Sequence, residues 1–289
     1  MDYSNPELPE GINTGKENPL KEFAILTSGV VGSIFLVITL LIFVVDNFAD
    51  KIPFEVEQRL PVSGLIEEQN IEPLPHYLEA LSQKVIDSLG LPEPMQITVH
   101  YLNSDTVNAF ATLGGHIVLY RGLLEKLTYE DELAMIIAHE VSHIKHRHPI
   151  MNASHGIVVG LVLSLVGASS GNDVVSKLLG TTGMVTMMKY SRDNEQQADR
   201  DAVNSLIKIY GNAEGALALF KVLDSEHGDR GTVEFFNTHP LNKNRSAEAQ
   251  TLINEIGTEQ SMGRAHIPAA FRKWLQKQKQ NAREQPQDQ

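Results

Sequence analysis

Hydrophobic and polar positions divide this chain into one unbroken apolar run and a longer body of alternating periods. From Phe23 to Val45 no charged residue occurs, and Ile, Leu and Val dominate. At about 1.5 Å of rise per residue, a helix of that length crosses a hydrocarbon layer of roughly 30 Å. Lys21 and Glu22 bound it on one side, Asp46 and Asp50 on the other. A cleaved signal peptide would carry a shorter apolar core nearer the start and small residues at its cleavage site. Here a polar segment, residues 1–22, comes first and the run ends in Val44-Val45-Asp46. The pattern therefore predicts an uncleaved transmembrane helix over 23–45. Lys16 and Lys21 balance Lys51 and Arg59, so flanking positive charge does not orient it.

Past the apolar run, Pro53, Pro61 and Gly64 mark residues 46–72 as a linker. Leu74, Tyr77, Leu78, Leu81, Val85, Ile86 and Leu89 recur at helical spacing until Gly90 and Pro92. Residues 97–102 read as a strand, and 107–120 as one or two strands broken at Gly114-Gly115. Thr128, followed by Glu130, Asp131 and Glu132, predicts the start of a helix reaching about His146. Further helices are expected near 192–210, 213–226 and 241–256. The whole describes an α+β domain over 73–260, mainly helical with a small sheet. A basic C-terminal helix follows over 261–289, with a disordered glutamine-rich tail from Gln276. Its Phe271 and Trp274 are expected to pack on the domain, with a membrane-surface contact of this basic segment as the alternative.

Pro149 to Asn172 lacks Asp, Glu, Lys and Arg, but its apolar heart, 156–168, is short for a span. A buried or membrane-surface helical pair is the expectation, with 178–188 as a weak return leg and a plug over a cleft as the alternative.

Composition narrows the chemistry. The 289 residues include no cysteine, which excludes disulfides, thiolate metal sites and cysteine nucleophiles. A formal net charge of −12 argues against nucleic-acid binding, which needs a basic face.

His139-Glu140-Val141-Ser142-His143 is an H-E-x-x-H sequence inside a predicted helix. Residues four apart share a helix face, so both imidazoles can hold one metal ion. Zinc lowers the pKa of a water from 15.7 to about 7, and Glu140 is placed to take that water's proton. His146 and His148 are nearby, but His146 falls about 10 Å along the axis from His139. Both read as helix-end residues facing the negative helix pole. Glu195 is the better third ligand. Asp199 lies on the same helix face, where one carboxylate can bind metal and the other orient a ligand imidazole. An ordinary solvated acidic face would show the same pattern.

Four ordered pieces resemble the gluzincin peptidases that include the HtpX-type membrane protease and the CAAX prenyl endoprotease, and their smaller envelope relatives. They are Asn108-Ala109-Phe110-Ala111 with Gly114-Gly115-His116, the His139–His143 motif, Ser191-Arg192-x-x-Glu195-x-x-x-Asp199, and Thr238-His239-Pro240 with Arg245. The resemblance implies one Zn2+ per chain on His139, His143 and Glu195, with Glu140 as base. It implies Asp199 and Arg245 behind the ligands, and His239 stabilising the oxyanion. It implies substrate binding along a strand containing Asn108, Ala109, Gly114 and Gly115. An edge strand beside a cleft binds an extended peptide by strand addition, which agrees.

The expectation is a single-pass, membrane-anchored zinc metalloendopeptidase. It would act on unfolded or damaged envelope or membrane proteins, from a bacterial inner membrane with the catalytic domain extracytoplasmic. Its partners are polypeptide substrates and, through residues 23–45, lipid. The alternative is a zinc-binding chaperone or assembly factor that does not cut, against which Glu140 speaks, because holding zinc does not require a base.

Overall fold

The computed structural model describes residues 18–59, 71–166, 190–226, 235, 239, 243–256 and 263–284. Helix α1 (Pro19–Phe48) begins at Asn18, whose side chain accepts the Lys21 N–H, and runs 30 residues, about 45 Å. None of its residues is buried, and Phe23, Leu26, Phe35, Leu36 and Phe43 are largely exposed. Among the described residues it is the one helix long and apolar enough to cross a membrane.

Part of the segment read as a linker is folded. A 3-10 turn over Ala49–Lys51 leads to α2 (Phe54–Gln58), and β1 (Ile71–Glu72) joins the sheet. Phe54 and Glu57 of α2 are buried. Helix α3 (His76–Leu89) follows, ended by Gly90 in the left-handed region at φ 56°. The sheet adds β2 (Thr98–Leu102), β3 (Ala109–Thr112) and β4 (His116–Tyr120) in the order β1-β2-β4-β3. β2 and β4 are parallel and the other two pairs antiparallel, which leaves β3 on an edge.

The break at Gly114-Gly115 is the tight turn between β3 and β4, with φ of 73° and 86°. A Cβ on Gly115 would stand 2.0 Å from the Gln96 carbonyl oxygen, so backbone proximity as well as φ demands glycine. The neighbours of this turn are α2 and Gln96; the Gly114 N–H donates to Glu57 Oε2 at 3.4 Å.

After a short α4 (Arg121–Lys126), α5 (Glu130–Lys145) runs through the core and carries the H-E-x-x-H residues. It starts one residue later than Thr128 would have it. Tyr129 is the cap residue, and Glu132 Oε2 accepts from the Thr128 and Tyr129 N–H groups at 2.8 and 3.0 Å. A carboxylate there also suits the positive helix end. α6 (His148–Val166) leaves α5 through Arg147 at φ 63° and packs along α1, with His155 Nε2 2.7 Å from Asp46 Oδ1. α6 covers the expected apolar stretch as far as Val166; its continuation to 172 and the return leg 178–188 lie outside the described residues.

α7 (Arg192–Tyr210), α8 (Glu214–Glu226) and α9 (Lys243–Ile256) match the three later helices closely. α5 packs on α3, α7 and α8, so the active motif is walled by helices on one side and by β3 on the other.

α10 (Ala269–Glu284) overturns the expectation of disorder from Gln276: residues 276–284 are helical. The reason is packing. Phe271, Leu275 and Gln278 are buried, with Phe271 against Tyr77 (5.1 Å between centroids) and Trp274 against Tyr101 (4.6 Å). Arg264, just before α10, grips Asp131 with two hydrogen bonds of 2.6 and 2.7 Å and so ties the C-terminal segment to the start of α5.

Candidate metal centre

The site is assembled from α5, α7, and two points further along the chain. His139 and His143 stand one turn apart on α5; Glu195 and Asp199 stand one turn apart on α7. Ser191 caps α7 by accepting the Asn194 N–H, which fixes where the first turn, and Glu195 with it, is set against α5. His139, His143, Glu195 and His239 are all buried, and one ligand atom of each lies within 4.8 Å of the others.

The distances are those of a metal cage. His139 Nε2 and His143 Nε2 are 3.0 Å apart; Glu195 lies 3.6 Å from the first and 3.5 Å from the second. Nitrogen and oxygen ligands about 2.0–2.1 Å from a tetrahedral ion stand about 3.3–3.4 Å from one another. Hydrogen bonds at the far side of each ring say which atoms face inward. His139 Nδ1 is 3.0 Å from Asp199 Oδ1, so in a neutral ring the proton is on Nδ1 and the Nε2 lone pair points into the cluster. His143 Nδ1 is 2.9 Å from His148 Nδ1, and His148 Nε2 is 3.1 Å from Gln197 Oε1. Two imidazole lone pairs and a carboxylate converging in a dry place repel one another unless a cation lies between them, so the residues present fit zinc.

Behind the ligands sits a buried cation. Arg245 makes two hydrogen bonds to Asp199, at 2.7 and 2.8 Å, and reaches Glu195 Oε2 at 2.6 Å. Burial would raise the Glu195 pKa, but His239 and the Arg245 guanidinium beside it hold it well below the usual carboxylate range. Asp199 is likewise lowered: burial opposes, and Arg245 and His139 outweigh it. Burial is also the main force on His143 and His148, lowering the first well below its ordinary value and the second to about 4. Both rings are therefore neutral near pH 7, the form in which an imidazole can offer a lone pair.

Glu140 is fully buried beside the cluster, and among the described residues neither of its carboxylate oxygens has a hydrogen-bond partner. His239 Nε2 approaches one of them at 3.4 Å, while His239 Nδ1 is 3.0 Å from Glu195. Burial would lower the His239 pKa, but the Glu140 and Glu195 carboxylates raise it on balance. His239 thus sits among the prospective ligand atoms, closer to the metal position than an oxyanion donor alone requires. Its companions Thr238 and Pro240 lie outside the described residues.

This cage occupies the middle of a chain whose family can be read independently. The profile of peptidase family M48 matches residues 74–253. The chain belongs to peptidase family M48. The beta-barrel assembly-enhancing protease of Escherichia coli (strain K12) is 27% identical over 197 residues, covering 63% of this chain and 39% of that protein. Protease HtpX of Legionella pneumophila is 28% identical over 211 residues, covering 62% of this chain and 72% of that protein. Metalloprotease YcaL of Escherichia coli (strain K12) is 33% identical over 161 residues, covering 53% and 60%. The chain thus aligns with about two fifths of the first of these relatives. The M48 match contains all four cage residues, Glu140, Asp199 and Arg245, and it ends before α10.

The strand expected to bind substrate is only partly at the M48 site. β3 is an edge strand. Since the Tyr120 N–H donates to the Asn108 oxygen, the alternation of an antiparallel ladder turns Val107, Ala109 and Ala111 outward. The Val107 oxygen accepts the Phe235 N–H at 3.2 Å, and the Ala111 oxygen accepts the Tyr190 hydroxyl at 3.4 Å. Tyr190 stacks on His143 at 3.7 Å, so the edge runs past the cage. Asn108 is buried, with no partner for either side-chain amide atom among the described residues. Gly114 and Gly115 are not brought to the cage; they make the turn under α2.

Sequence reasoning missed Tyr190 and His148. His146, read as a helix-end residue, is indeed outside the cage and lies 3.0 Å from Asp201. His148, read the same way, begins α6 and touches a prospective ligand.

Proposed function

We propose that this chain is a membrane-anchored zinc metalloendopeptidase that hydrolyses unfolded or damaged envelope or membrane proteins. The observation that carries the reading is the meeting of two inward-facing imidazole nitrogens and the Glu195 carboxylate beside a buried Glu140 that makes no hydrogen bond among the described residues. His139, His143 and Glu195 would hold one Zn2+, with Asp199 and Arg245 orienting His139 and Glu195. Bound there, the ion supplies Lewis acidity to the scissile carbonyl and lowers the pKa of the attacking water.

Glu140 is the group that takes the water's proton and returns it to the departing amine. It is buried, and among the described residues its oxygens make no hydrogen bond, the nearest donor being His239 Nε2 at 3.4 Å, which leaves it available for that task. His239, which its carboxylate neighbours favour in the protonated form, offers an N–H to the oxygen on which charge develops. Between the Phe235 and Tyr190 contacts, the outward-facing Ala109 main chain and the Asn108 amide would offer hydrogen bonds to a short extended stretch of peptide, largely without regard to its sequence. Gly114 and Gly115 would serve by shaping the end of that strand.

Anchoring rests on α1. A 30-residue helix with large apolar side chains exposed along its length is unfavourable in water and suited to lipid. Placement in a bacterial inner membrane with the catalytic domain extracytoplasmic belongs to the same proposal.

The test is zinc-dependent degradation of casein by the full chain in detergent. Wild type should cleave and stop on chelation, whereas Glu140→Gln should keep its zinc and lose activity by about a thousandfold or more, as expected for a missing general base that also orients the water. Cleavage at the wild-type rate by Glu140→Gln contradicts the mechanism. Zinc binding without cleavage by either form points to the holding protein instead.

A further inference from the structure

α5 ends at Lys145, and the left-handed Arg147 reverses the chain before His148 opens α6. Had the helix continued, residue 148 would lie about 140° around the axis from residue 143 and about 7.5 Å beyond it. The turn instead brings the two rings together, Nδ1 to Nδ1 at 2.9 Å. His148 is buried, and its other nitrogen meets Gln197 Oε1 on α7 at 3.1 Å.

An amide oxygen only accepts, so the His148 proton is on Nε2 and its Nδ1 is the acceptor. His143 Nδ1 must then be the donor, which leaves His143 Nε2 bare and aimed at His139 and Glu195. We propose that His148 is the positioning residue for His143: its imidazole fixes the tautomer and the tilt of that ligand ring, and Gln197 fixes His148 in turn. The inference rests on the reading that His143 holds zinc.

The two ligand histidines are thus oriented by different chemistry. His139 leans on a carboxylate, Asp199, and His143 on a neutral imidazole. Glu140, Glu195 and Asp199 already crowd the site with negative charge, which Arg245 offsets only in part. A neutral acceptor at His148 orients the second ring without adding a fourth carboxylate to a buried place, where like charges are costly. Tyr190 stacks on the face of His143 but leaves Nδ1 untouched, so it cannot set the tautomer.

The test measures zinc affinity of the full chain in detergent by competition with a chromophoric chelator, and the visible spectrum of the cobalt(II) form. His148→Phe keeps an aromatic ring but removes the acceptor. It should weaken zinc binding by about 10- to 100-fold, the range for loss of a ligand's orienting partner, and alter the cobalt bands. His148→Asn places an amide oxygen near the lost Nδ1 and should restore affinity to within about threefold. Gln197→Leu, on an exposed position of α7, should weaken binding by a few fold. Unchanged affinity in His148→Phe overturns the proposal, as does His148→Asn binding as weakly as His148→Phe, which would make the role one of shape. If His148→Phe does not fold, wild-type affinity in Gln197→Leu overturns it. A wild type that binds no zinc instead contradicts the functional reading beneath it.

Discussion

Replacing Arg245 by Met tests the electrostatic frame of the metal centre. The Arg245 side chain is 5% exposed, and it is the one cation contacting both Glu195 and Asp199 among the described residues. Met keeps most of the stem's volume and removes three charged contacts of 2.6 to 2.8 Å. Removing one partner of a buried ion pair costs about 3–5 kcal/mol, because the remaining charge is stranded. Here two carboxylates are stranded, so the metal-free protein should lose about 4–5 kcal/mol, or roughly 8–20 °C in Tm for a domain of this size. Zinc restores a cation beside Glu195 but not beside Asp199, so saturating zinc should narrow the gap to about half. Adding Asp199→Asn to Arg245→Met removes one stranded charge and should recover about 1–2 kcal/mol in the metal-free protein. Urea unfolding of the full chain in detergent, followed by the fluorescence of its single tryptophan, Trp274, reads all three values. A loss below about 1 kcal/mol, or a gap that zinc leaves unchanged, would refute the reasoning.

Two other perturbations probe the frame that holds the site. Gly115→Ala should destabilise by roughly 2–4 kcal/mol, since its Cβ would meet the Gln96 oxygen at 2.0 Å in a backbone at φ 86°; a Tm within a degree or two of wild type would contradict the packing of that turn. Hydrogen bonding from His146, with Lys145 assisting against burial, holds Asp201 down to about 2. A depressed carboxyl stabilises above its unfolded value near 3.9, and that contribution is lost as pH falls toward 2. Asp201→Asn should therefore lower Tm at pH 6 and match wild type near pH 2; a difference that is the same at both pH values would contradict it.

The cage itself was legible because its chemistry is local. His139 and His143, like Glu195 and Asp199, are helix neighbours four apart, and such pairs share a face whatever the rest of the chain does. That α5 and α7 meet came from the resemblance, as did the placing of His239 and Arg245. His148 was not legible, since its contact with His143 depends on one left-handed residue, Arg147, that no periodicity announces. The folded part of the linker hid for a related reason. Phe54 and Glu57 look like isolated residues among prolines, and only the glycine turn of β3 and β4 gives them something to cover. The Gln-rich tail read as disorder because its polar composition hid Gln278, which lies one turn beyond Trp274 and Leu275 and is buried on the same helix face.

The central claim is that His139, His143 and Glu195 hold one catalytic zinc. Metal analysis of the full chain, wild type beside Glu195→Ala, with zinc-edge X-ray absorption on the wild type, addresses it most directly. Wild type should hold about one zinc per chain, with nitrogen and oxygen neighbours at about 2.0–2.1 Å, imidazole scattering and no sulfur. Glu195→Ala should retain a small fraction of that metal at equal free zinc. Full zinc occupancy in Glu195→Ala would contradict this ligand set and remove Glu195 from the site.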